Sequence, residues 1–438
     1  MKNYLSTSVI TYNLFFAFLT VTKLCAQEIN QPAPETNTVA ITAQKTKATP
    51  LLVIELKTDK NKELKECCKT IQRNLSFTGQ FAISLETQDT ECTKEQIKEH
   101  AKNYPFFVSI SAQGNDFLAK LYDTSSLKIT KIHSKVDSNQ EEMGHKISNE
   151  LLKLLTNKEG FFGSKIVFCR ERKKGKTDIC IADYDGKNIK TILSLNTLAI
   201  APRWNNDPIN PLILYSEYTA TNLRLMITDL EGNKSIATNF DGLNMLPAFS
   251  PDGKEVVVCL SAKGNSQIYR STLNKKTKKR EYVSLTKNNG TNISPTILAD
   301  GHIVFCSDFE TKAPQIYMMD RNGKNLTCLT EGGFCTCPAY NPLNNKIAFI
   351  KMVEGRGQIM CYDVKKDSIK QITHDGIHKE EVSWSPCGNY ILFATEENNK
   401  KQLIVQSMLT QKRTALTDGT SSVTYPYWSS HSLFSQTS

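Results

Sequence analysis

The stretch that decides the fold is Pro247-Ala248-Phe249-Ser250-Pro251-Asp252-Gly253-Lys254, which runs directly into Glu255-Val256-Val257-Val258-Cys259-Leu260. Proline, aspartate and glycine occupy positions two to four of a type I turn, where a fixed φ, a short side chain and a missing Cβ each help. The run after the turn is β-branched and too short for a buried helix. The sequence therefore predicts a short strand, a tight turn and a second strand.

This unit returns along the rest of the chain at a nearly constant period. Its anchors are Pro202, Pro247, Pro295, Pro338, Val382 and Pro426. The steps between successive anchors are 45, 48, 43, 44 and 44 residues. A four-stranded propeller blade takes about 40–45 residues, so six copies at this period predict a six-bladed β-propeller.

The two ends of the repeat region complement each other. Residues 164–194 supply three strands without a preceding inner strand, whereas residues 425–429 form an inner strand with nothing after it to complete a blade. Joining the ends removes the exposed sheet edges that an open array would leave. We therefore expect the C-terminal strand to complete blade one.

A second signal repeats inside the propeller. An aspartate stands at the end of the third strand in four blades, and a glycine follows three residues later in three of them. These aspartates are Asp183, Asp229, Asp320 and Asp363. Asp-x-x-Gly at a strand end is typical of a hairpin turn, so we interpret the aspartates as turn residues and not as a metal site.

The amino terminus has the features of an export signal. Lys2 precedes an apolar centre at residues 14–21, and Leu24-Cys25-Ala26 offers a cleavable end. We assign residues 1–26 to the signal and expect the mature protein to be exported. Residues 27–49 are rich in Thr, Ala, Gln and Pro, which predicts a flexible N-terminal tail.

Residues 50–157 alternate strand and helix patterns, which predicts a small α/β domain. Residues 158–438 hold the propeller repeats. The predicted fold class is α+β and multidomain: a small N-terminal α/β domain followed by a six-bladed β-propeller closed by the C-terminal strand.

Charge and cysteine content limit the classes of function. The net charge of +10 has its densest sources at residues 170–176 and 275–280, which we place in solvated hairpin loops, so no nucleic-acid partner is predicted. Of thirteen cysteines, Cys259 and Cys306 are expected to be buried. Cys169 and Cys180 fall on successive strands where they could face each other. The better candidates for bridges or free thiols are Cys67, Cys68, Cys92, Cys335 and Cys337.

Enzyme and metal functions lack their motifs. His374 and His378 stand four apart near Glu380 and Glu381, but Asp375-Gly376 between them indicates a loop and not a metal-binding helix. No Gly-x-Ser-x-Gly elbow is present. We therefore predict no catalytic residues, no metal and no cofactor. The alternative functions are a small ligand or sugar held in the central channel, or a propeller related to prolyl-oligopeptidase-type peptidases without the catalytic domain.

An export signal, a small α/β domain and a six-fold repeat with Pro-Ala-Phe-Ser-Pro-Asp-Gly-Lys together resemble the TolB family, the periplasmic β-propeller proteins of the Tol-Pal system. The resemblance covers about residues 50–430. It implies a periplasmic, non-enzymatic scaffold that binds the lipoprotein Pal at a propeller mouth and TolA through the N-terminal tail. Such a scaffold supports outer-membrane integrity and cell division, and is peripheral to the outer membrane through its partners only. By the same resemblance, the Pal-binding residues are Leu243, Asn244, Leu246, Asn292 and Ser294.

Overall fold

The computed structural model describes residues 48–432, apart from residues 58–60, 114–115, 135–138, 262–263, 275, 278, 312 and 398–399. The expected export signal and residues 27–47 of the expected tail lie outside the described residues. Thr49, at the end of that predicted tail, already belongs to the first strand. The expected boundary between residues 157 and 158 falls just after the last helix and stays a prediction.

The N-terminal part is a five-stranded mixed sheet with three helices. Its strands are β1 (Thr49–Leu56), β2 (Phe81–Gln88), β3 (Phe106–Gln113), β4 (Asp116–Asp123) and β5 (Lys128–Ser134). Its helices are α1 (Asn61–Phe77), α2 (Lys94–His100) and α3 (Gln140–Thr156). The strand order is β2-β1-β3-β4-β5, in which β1 runs parallel to both of its neighbours and the remaining pairs are antiparallel.

Apolar spacing along the helices explains how they cover this sheet. In α1 the side chains of Leu64, Cys67, Ile71 and Leu75 recur at helical spacing, and all four are buried. They share a core with Met143 and neighbouring residues of α3 on one face of the sheet. Helix α2 begins with a capping box in which Thr93 and Gln96 bond reciprocally, and it packs on the opposite face. Strand β5 is an element that the sequence patterns did not predict.

Six four-stranded antiparallel sheets follow and form the blades of the propeller. Blade one is β29 (Val423–Ser432), β6 (Ser164–Lys173), β7 (Lys176–Asp183) and β8 (Lys190–Ser194). Blade two is β9 (Ala199–Trp204), β10 (Ile213–Tyr218), β11 (Leu223–Thr228) and β12 (Lys234–Thr238). Blade three is β13 (Asn244–Phe249), β14 (Val256–Leu260), β15 (Gln267–Leu273) and β16 (Arg280–Ser284).

The remaining blades have the same order from the inner to the outer strand. Blade four is β17 (Asn292–Ile297), β18 (Ile303–Ser307), β19 (Gln315–Met319) and β20 (Thr327–Cys328). Blade five is β21 (Cys335–Asn341), β22 (Lys346–Val353), β23 (Arg356–Asp363) and β24 (Ser368–Gln371). Blade six is β25 (Lys379–Trp384), β26 (Tyr390–Glu397), β27 (Lys400–Ser407) and β28 (Arg413–Ala415).

The predicted closure is confirmed. Strand β29 pairs antiparallel with β6, so the C-terminal strand is the inner strand of blade one. The inner strands contact one another in a closed ring that returns from β29 to β9. The indole Nε1 of Trp428 donates to Ser164 Oγ at 2.8 Å, and the backbone N–H of Trp428 donates to Ser383 Oγ of blade six at 3.0 Å. The closing strand is therefore tied to blades one and six.

The predicted turn chemistry is also confirmed. The N–H of Gly253 donates to Ser250 O at 2.8 Å, and the same bond joins Gly388 to Ser385 at 3.0 Å. At the outer hairpins the N–H of Gly186 donates to Asp183 O at 2.9 Å. These aspartates therefore close turns, as their spacing indicates.

The structure corrects the loop assignment of both basic runs. Residues 170–173 and Lys176 of the first run belong to strands β6 and β7, and Arg280 of the second run begins strand β16. Arg170 and Arg172 both pair with Asp178 on β7, at 3.0 and 3.3 Å. Part of the charge of this run is therefore neutralised within blade one.

The cysteine predictions hold for two residues and fail for others. Cys259 and Cys306 are buried as expected, and all twelve cysteines within the described residues are free thiols. Cys169 and Cys180 do not face each other, because Cys169 pairs with Ile179 in the β6–β7 ladder and the one-residue offset places the two thiols on opposite sheet faces.

All five candidates for bridges or free thiols are free, and three of them are inaccessible to solvent. Cys67, Cys68 and Cys335 are buried in hydrophobic cores. Cys92 and Cys337 are half-buried, and Cys328, which the sequence patterns did not single out, is exposed.

Among the residues that the structure describes, no helix combines the length and the apolar character needed to cross a bilayer.

Candidate functional site at the channel mouth

Each inner strand carries a bulge near its start, and one residue of each bulge has a left-handed backbone. These residues have φ values between 51° and 58°. They are Ala201, Leu246, Ser294, Cys337, Glu381 and Tyr425. In each blade the pairing register with the next strand shifts at this point.

The repeated proline accounts for the bulge in five of the six blades. In five of the six blades the left-handed residue comes directly before proline, which lacks the N–H that a strand ladder needs. A bulge leaves one residue of the strand unpaired and changes where the neighbouring side chains point. The sequence anchors of the repeat therefore also shape the wall of the channel.

The inner strands surround a central cavity of about 1430 Å³. Five of the left-handed residues line it; the sixth, Ala201, is buried between the lining residues Ile200 and Arg203. Each blade is antiparallel, so the loops that lead into the inner strands all lie at one face of the propeller. This arrangement makes that face the mouth where loops from every blade converge.

The two sides of this mouth differ in chemistry. Blades two to four contribute an apolar wall of half-buried side chains around buried Met245: Ile200, Tyr218, Leu246 and Ile293. Blade six contributes titratable side chains to the same cavity: His378, Glu380, Glu381 and Lys401. A binding partner at this mouth would meet an apolar surface beside a polar one.

Glu380 is the centre of the charged side. Its carboxylate lies 3.2 Å from His378 Nε2 and 2.9 Å from Lys401 Nζ. Burial opposes ionisation, but the bond to His378 and the charge of Lys401 outweigh it and lower the pKa of Glu380. Conversely, the charge of Glu380 overcomes burial and raises the pKa of Lys401. These two groups therefore form a charged pair at neutral pH.

The pKa of Glu381, the next residue, is shifted in the opposite direction to that of Glu380. Burial and the charge of Glu380 raise the pKa of Glu381 to about 8, although the hydrogen bond from the Tyr425 backbone N–H opposes the shift. Glu381 is therefore mostly protonated at neutral pH. The bond from Tyr425 also links blade six to the closing strand.

The structure brings all five predicted Pal-binding residues to this mouth region but gives them different roles. Asn244 and Asn292 are fully buried at equivalent positions of blades three and four. Asn244 Nδ2 donates to Phe240 O at 2.7 Å and to Leu223 O at 3.0 Å. Asn292 Nδ2 likewise donates to Asn288 Oδ1 at 2.8 Å. Both amides therefore hold their own loops in shape.

Leu243 and Leu246 are half-buried and are not apolar side chains exposed at a loop tip. They pack with Met245 on a small core that includes Leu223 and Cys259. Burial of apolar surface against these neighbours keeps them out of solvent. Leu246 and Ser294 line the cavity, and Ser294 is half-buried there. Direct contact with a partner stays a prediction for these residues.

The two histidines of blade six differ, and His378 has structural contacts. His374 is exposed, whereas His378 Nδ1 accepts the Gly357 N–H at 2.7 Å. Asp375 pairs with Lys379 and Arg413. Within the part of the chain that the structure describes, no group of three or more His, Cys, Asp or Glu side chains is arranged to hold a metal ion.

Sequence reasoning missed two features of the site, the left-handed ring and the position of Arg203 in the cavity. The ring had a usable signal, because its members come directly before the repeat anchors. Arg203 follows Pro202, and its guanidinium carbon lies 4.5 Å from the centroid of the Tyr427 ring of β29. That contact joins residues more than 200 positions apart, which no local pattern indicates.

Comparison with known proteins agrees with this architecture. Residues 152–432 match the protein family described as the TolB beta propeller domain. The chain is 29% identical over 290 residues to the Tol-Pal system protein TolB of Francisella tularensis subsp. mediasiatica (strain FSC147), which covers 63% of this chain and 65% of that relative. The same protein of Francisella tularensis subsp. holarctica (strain LVS) matches with the same identity and coverage. The matched region thus spans 65% of the length of these relatives.

A crystal structure of TolB from Acinetobacter baumannii superimposes with a TM-score of 0.73 at 24% identity, covering 88% of this chain and 97% of that one. This likeness shows a common fold over both the N-terminal part and the propeller. The family match, for its part, spans well over half of the chain. The chain therefore belongs to the TolB family of β-propeller proteins of the Tol-Pal system.

Proposed function

We propose that this protein is a non-enzymatic scaffold in the periplasm that binds the lipoprotein Pal at the channel mouth. The observation that carries the proposal is the two-sided mouth, in which Ile200, Leu246 and Ile293 offer half-buried apolar surface beside the Glu380–Lys401 pair. Protein interfaces combine an apolar centre with a polar rim. The rigid blades hold the converging loops in place, as recognition loops require.

We further propose that TolA binds the N-terminal tail and that the scaffold supports outer-membrane integrity and cell division. Membership of the Tol-Pal family supports this part of the proposal. The tail precedes β1, whose first residue Thr49 donates its backbone N–H to Gln80 O at 2.8 Å. Since β1 is fixed inside the sheet, the tail leaves from a fixed point of the N-terminal part.

A capture assay tests the Pal site. Ser294→Arg places a long charged side chain in the mouth at a position that is already half-exposed to the cavity. We expect Pal capture by the immobilised chain to fall at least tenfold, because the added charge and bulk occupy the docking surface. Ala299→Arg is the matched control, since Ala299 is an exposed residue in the turn at the opposite end of the same inner strand.

Both variants should keep the wild-type melting temperature. Equal capture by Ser294→Arg and wild type would place the Pal site elsewhere.

In the same assay, removing residues 27–47 should abolish TolA capture and leave Pal capture unchanged. Loss of both partners together would contradict separate sites.

A further inference from the structure

The channel contains a guanidinium group, that of Arg203, which makes no ion pair with the residues that the structure describes. Arg203 lines the cavity from the inner strand of blade two and stacks on Tyr427. Its Nη1 donates to the carbonyl of Pro202 at 3.0 Å. Among the described residues no carboxylate oxygen lies within 4.0 Å of its guanidinium, whereas Lys401 in the same cavity is paired with Glu380. A guanidinium that lacks an acidic partner and lies in a cavity is suited to bind a carboxylate through paired N–H donors.

A second potential donor lies in the same cavity. Oε2 of Glu381 accepts the Tyr425 N–H, and Oε1 has no hydrogen-bond partner within the described residues. Because the pKa of Glu381 is raised to about 8 by burial and by Glu380, its carboxyl group carries a proton at neutral pH and can donate it in a hydrogen bond. The charged or titratable groups that act on Glu381, or on which it acts, come from its own strand and five others: Arg203, Cys169, Cys337, Glu380, Lys401 and Tyr425.

Apolar side chains complete the cavity on the side of Arg203. Ile200 stands three residues before Arg203 on the same strand, and Leu246 and Ile293 follow on the next two inner strands. These side chains belong to the apolar wall of the mouth. Ligand pockets are typically lined by apolar side chains with a few polar groups that fix orientation. A volume of about 1430 Å³ leaves ample room for a small molecule.

We propose that the channel binds the carboxylate of an aliphatic acid, with the carboxylate on Arg203 and the aliphatic part along Ile200, Leu246 and Ile293. Protonated Glu381 provides the second hydrogen-bond donor to the carboxylate. This inference shares Ile200, Leu246 and Ile293 with the proposed Pal site, but it rests on Arg203 and Glu381 and can be tested without Pal.

Hexanoate is the probe, and isothermal titration calorimetry with the chain from Gln27 is the measurement. At pH 6.5 we expect hexanoate to bind. Hexan-1-ol lacks the negative charge and inorganic phosphate lacks the aliphatic chain, so both should bind at least tenfold more weakly. Arg203→Met should weaken hexanoate binding at least tenfold. Lys234→Met removes the same charge from an exposed position on the outer strand of the same blade and should bind like wild type.

The pH dependence gives a second, independent measurement. Hexanoate is ionised throughout the range from pH 6.5 to pH 9.0, so a loss of affinity on raising the pH reports the deprotonation of Glu381. We expect about tenfold weaker binding at pH 9.0 than at pH 6.5, because one pH unit above the pKa of about 8 leaves about a tenth of the carboxyls protonated. Glu381→Gln keeps a neutral donor and should bind with much less pH dependence.

Equal binding by Arg203→Met and wild type, or phosphate binding as tight as hexanoate binding, would overturn the proposal. If Arg203→Met does not fold, hexanoate binding by the wild type that does not change with pH would overturn the proposal as well.

A competition experiment then distinguishes two sources of the carboxylate. If saturating hexanoate blocks Pal capture, the natural ligand of Arg203 is an acidic side chain of the docked protein. If Pal capture is unaffected, the natural ligand is a free aliphatic acid. Loss of Pal capture in Ser294→Arg, with hexanoate binding retained, separates this site from the proposed Pal site.

Discussion

At the scale of single residues, the reactivity of each thiol depends on whether the folded protein buries it. Cys328 is exposed on the outer strand of blade four, whereas Cys259, Cys306 and Cys335 are buried. Cys337 lines the channel, but burial raises its pKa to about 11, which leaves little reactive thiolate at neutral pH. We therefore predict that Cys328 reacts fastest among the cysteines that the structure describes, measured with a maleimide reagent and mass spectrometry. Cys328→Ser should remove that reaction, and fast labelling that persists in this variant would contradict the placement of the thiols.

At the scale of elements, strand β29 carries the closure of the propeller. Deleting residues 425–438 removes most of that strand, exposes the edge of β6 and removes buried Trp428. We predict loss of a cooperative thermal transition, or a large fall in its midpoint. Trp428→Ala alone should lower the free energy of unfolding by about 3–5 kcal/mol, because a buried aromatic side chain leaves a cavity. Deleting residues 433–438 leaves β29 whole and is the control; a wild-type melt after the longer deletion would argue against closure.

The strands and turns also show how much of the structure the sequence could predict. Blade number follows from short-range turn chemistry around the anchors, such as Pro251-Asp252-Gly253, and closure follows from the strand count at the two ends of the repeat region. The lining of the channel does not follow from this chemistry, because the bulges at residues such as Glu381 decide which side chains point inward. The burial of Leu243 and the opposed faces of Cys169 and Cys180 depend on long-range packing and register. Short-range patterns therefore predict the number of blades and their closure better than they predict which side chains line the channel.

At the scale of the whole molecule, a polar cluster joins the N-terminal part to blade one. Asn74 of α1 accepts the Tyr184 hydroxyl at 2.6 Å, and Tyr184 lies in the outer hairpin turn of blade one. Arg73 pairs with Glu141 at 2.8 Å and with Asp185 of that turn at 3.3 Å. Beside these bonds, Phe161 packs between the two parts, with its ring centroid 4.7 Å from that of Tyr390 and 5.3 Å from that of Tyr184. The N-terminal part and the propeller therefore share one core.

His145 makes this junction sensitive to acid. Its ring is buried in α3, and Nδ1 lies 3.1 Å from Asn74 Nδ2, which donates to it when the ring is neutral. Burial and the neighbouring charge of Arg73 lower the pKa of His145 to about 3, with Asp183 opposing the shift. In the unfolded chain the pKa is about 6.5, so below that pH the unfolded state binds a proton that the folded state does not. Stability from this group is therefore present above pH 6.5 and lost as the pH falls toward 3.

We predict that lowering the pH from 7 to 5 costs the wild type about 2 kcal/mol more free energy of unfolding than it costs His145→Gln, since the pH falls about 1.5 units below the unfolded pKa. Glutamine does not titrate, so the variant lacks this proton uptake on unfolding. Urea unfolding at several pH values, followed by tryptophan fluorescence, measures the difference. His302→Gln is the matched control, because His302 is only half-buried and its Nδ1 lies 3.1 Å from Asp300 Oδ1 in a surface turn of the propeller, away from the junction. If His145→Gln and wild type lose stability in parallel between pH 7 and pH 5, the imidazole at the junction is protonated in the folded protein and the neutral bond from Asn74 does not form.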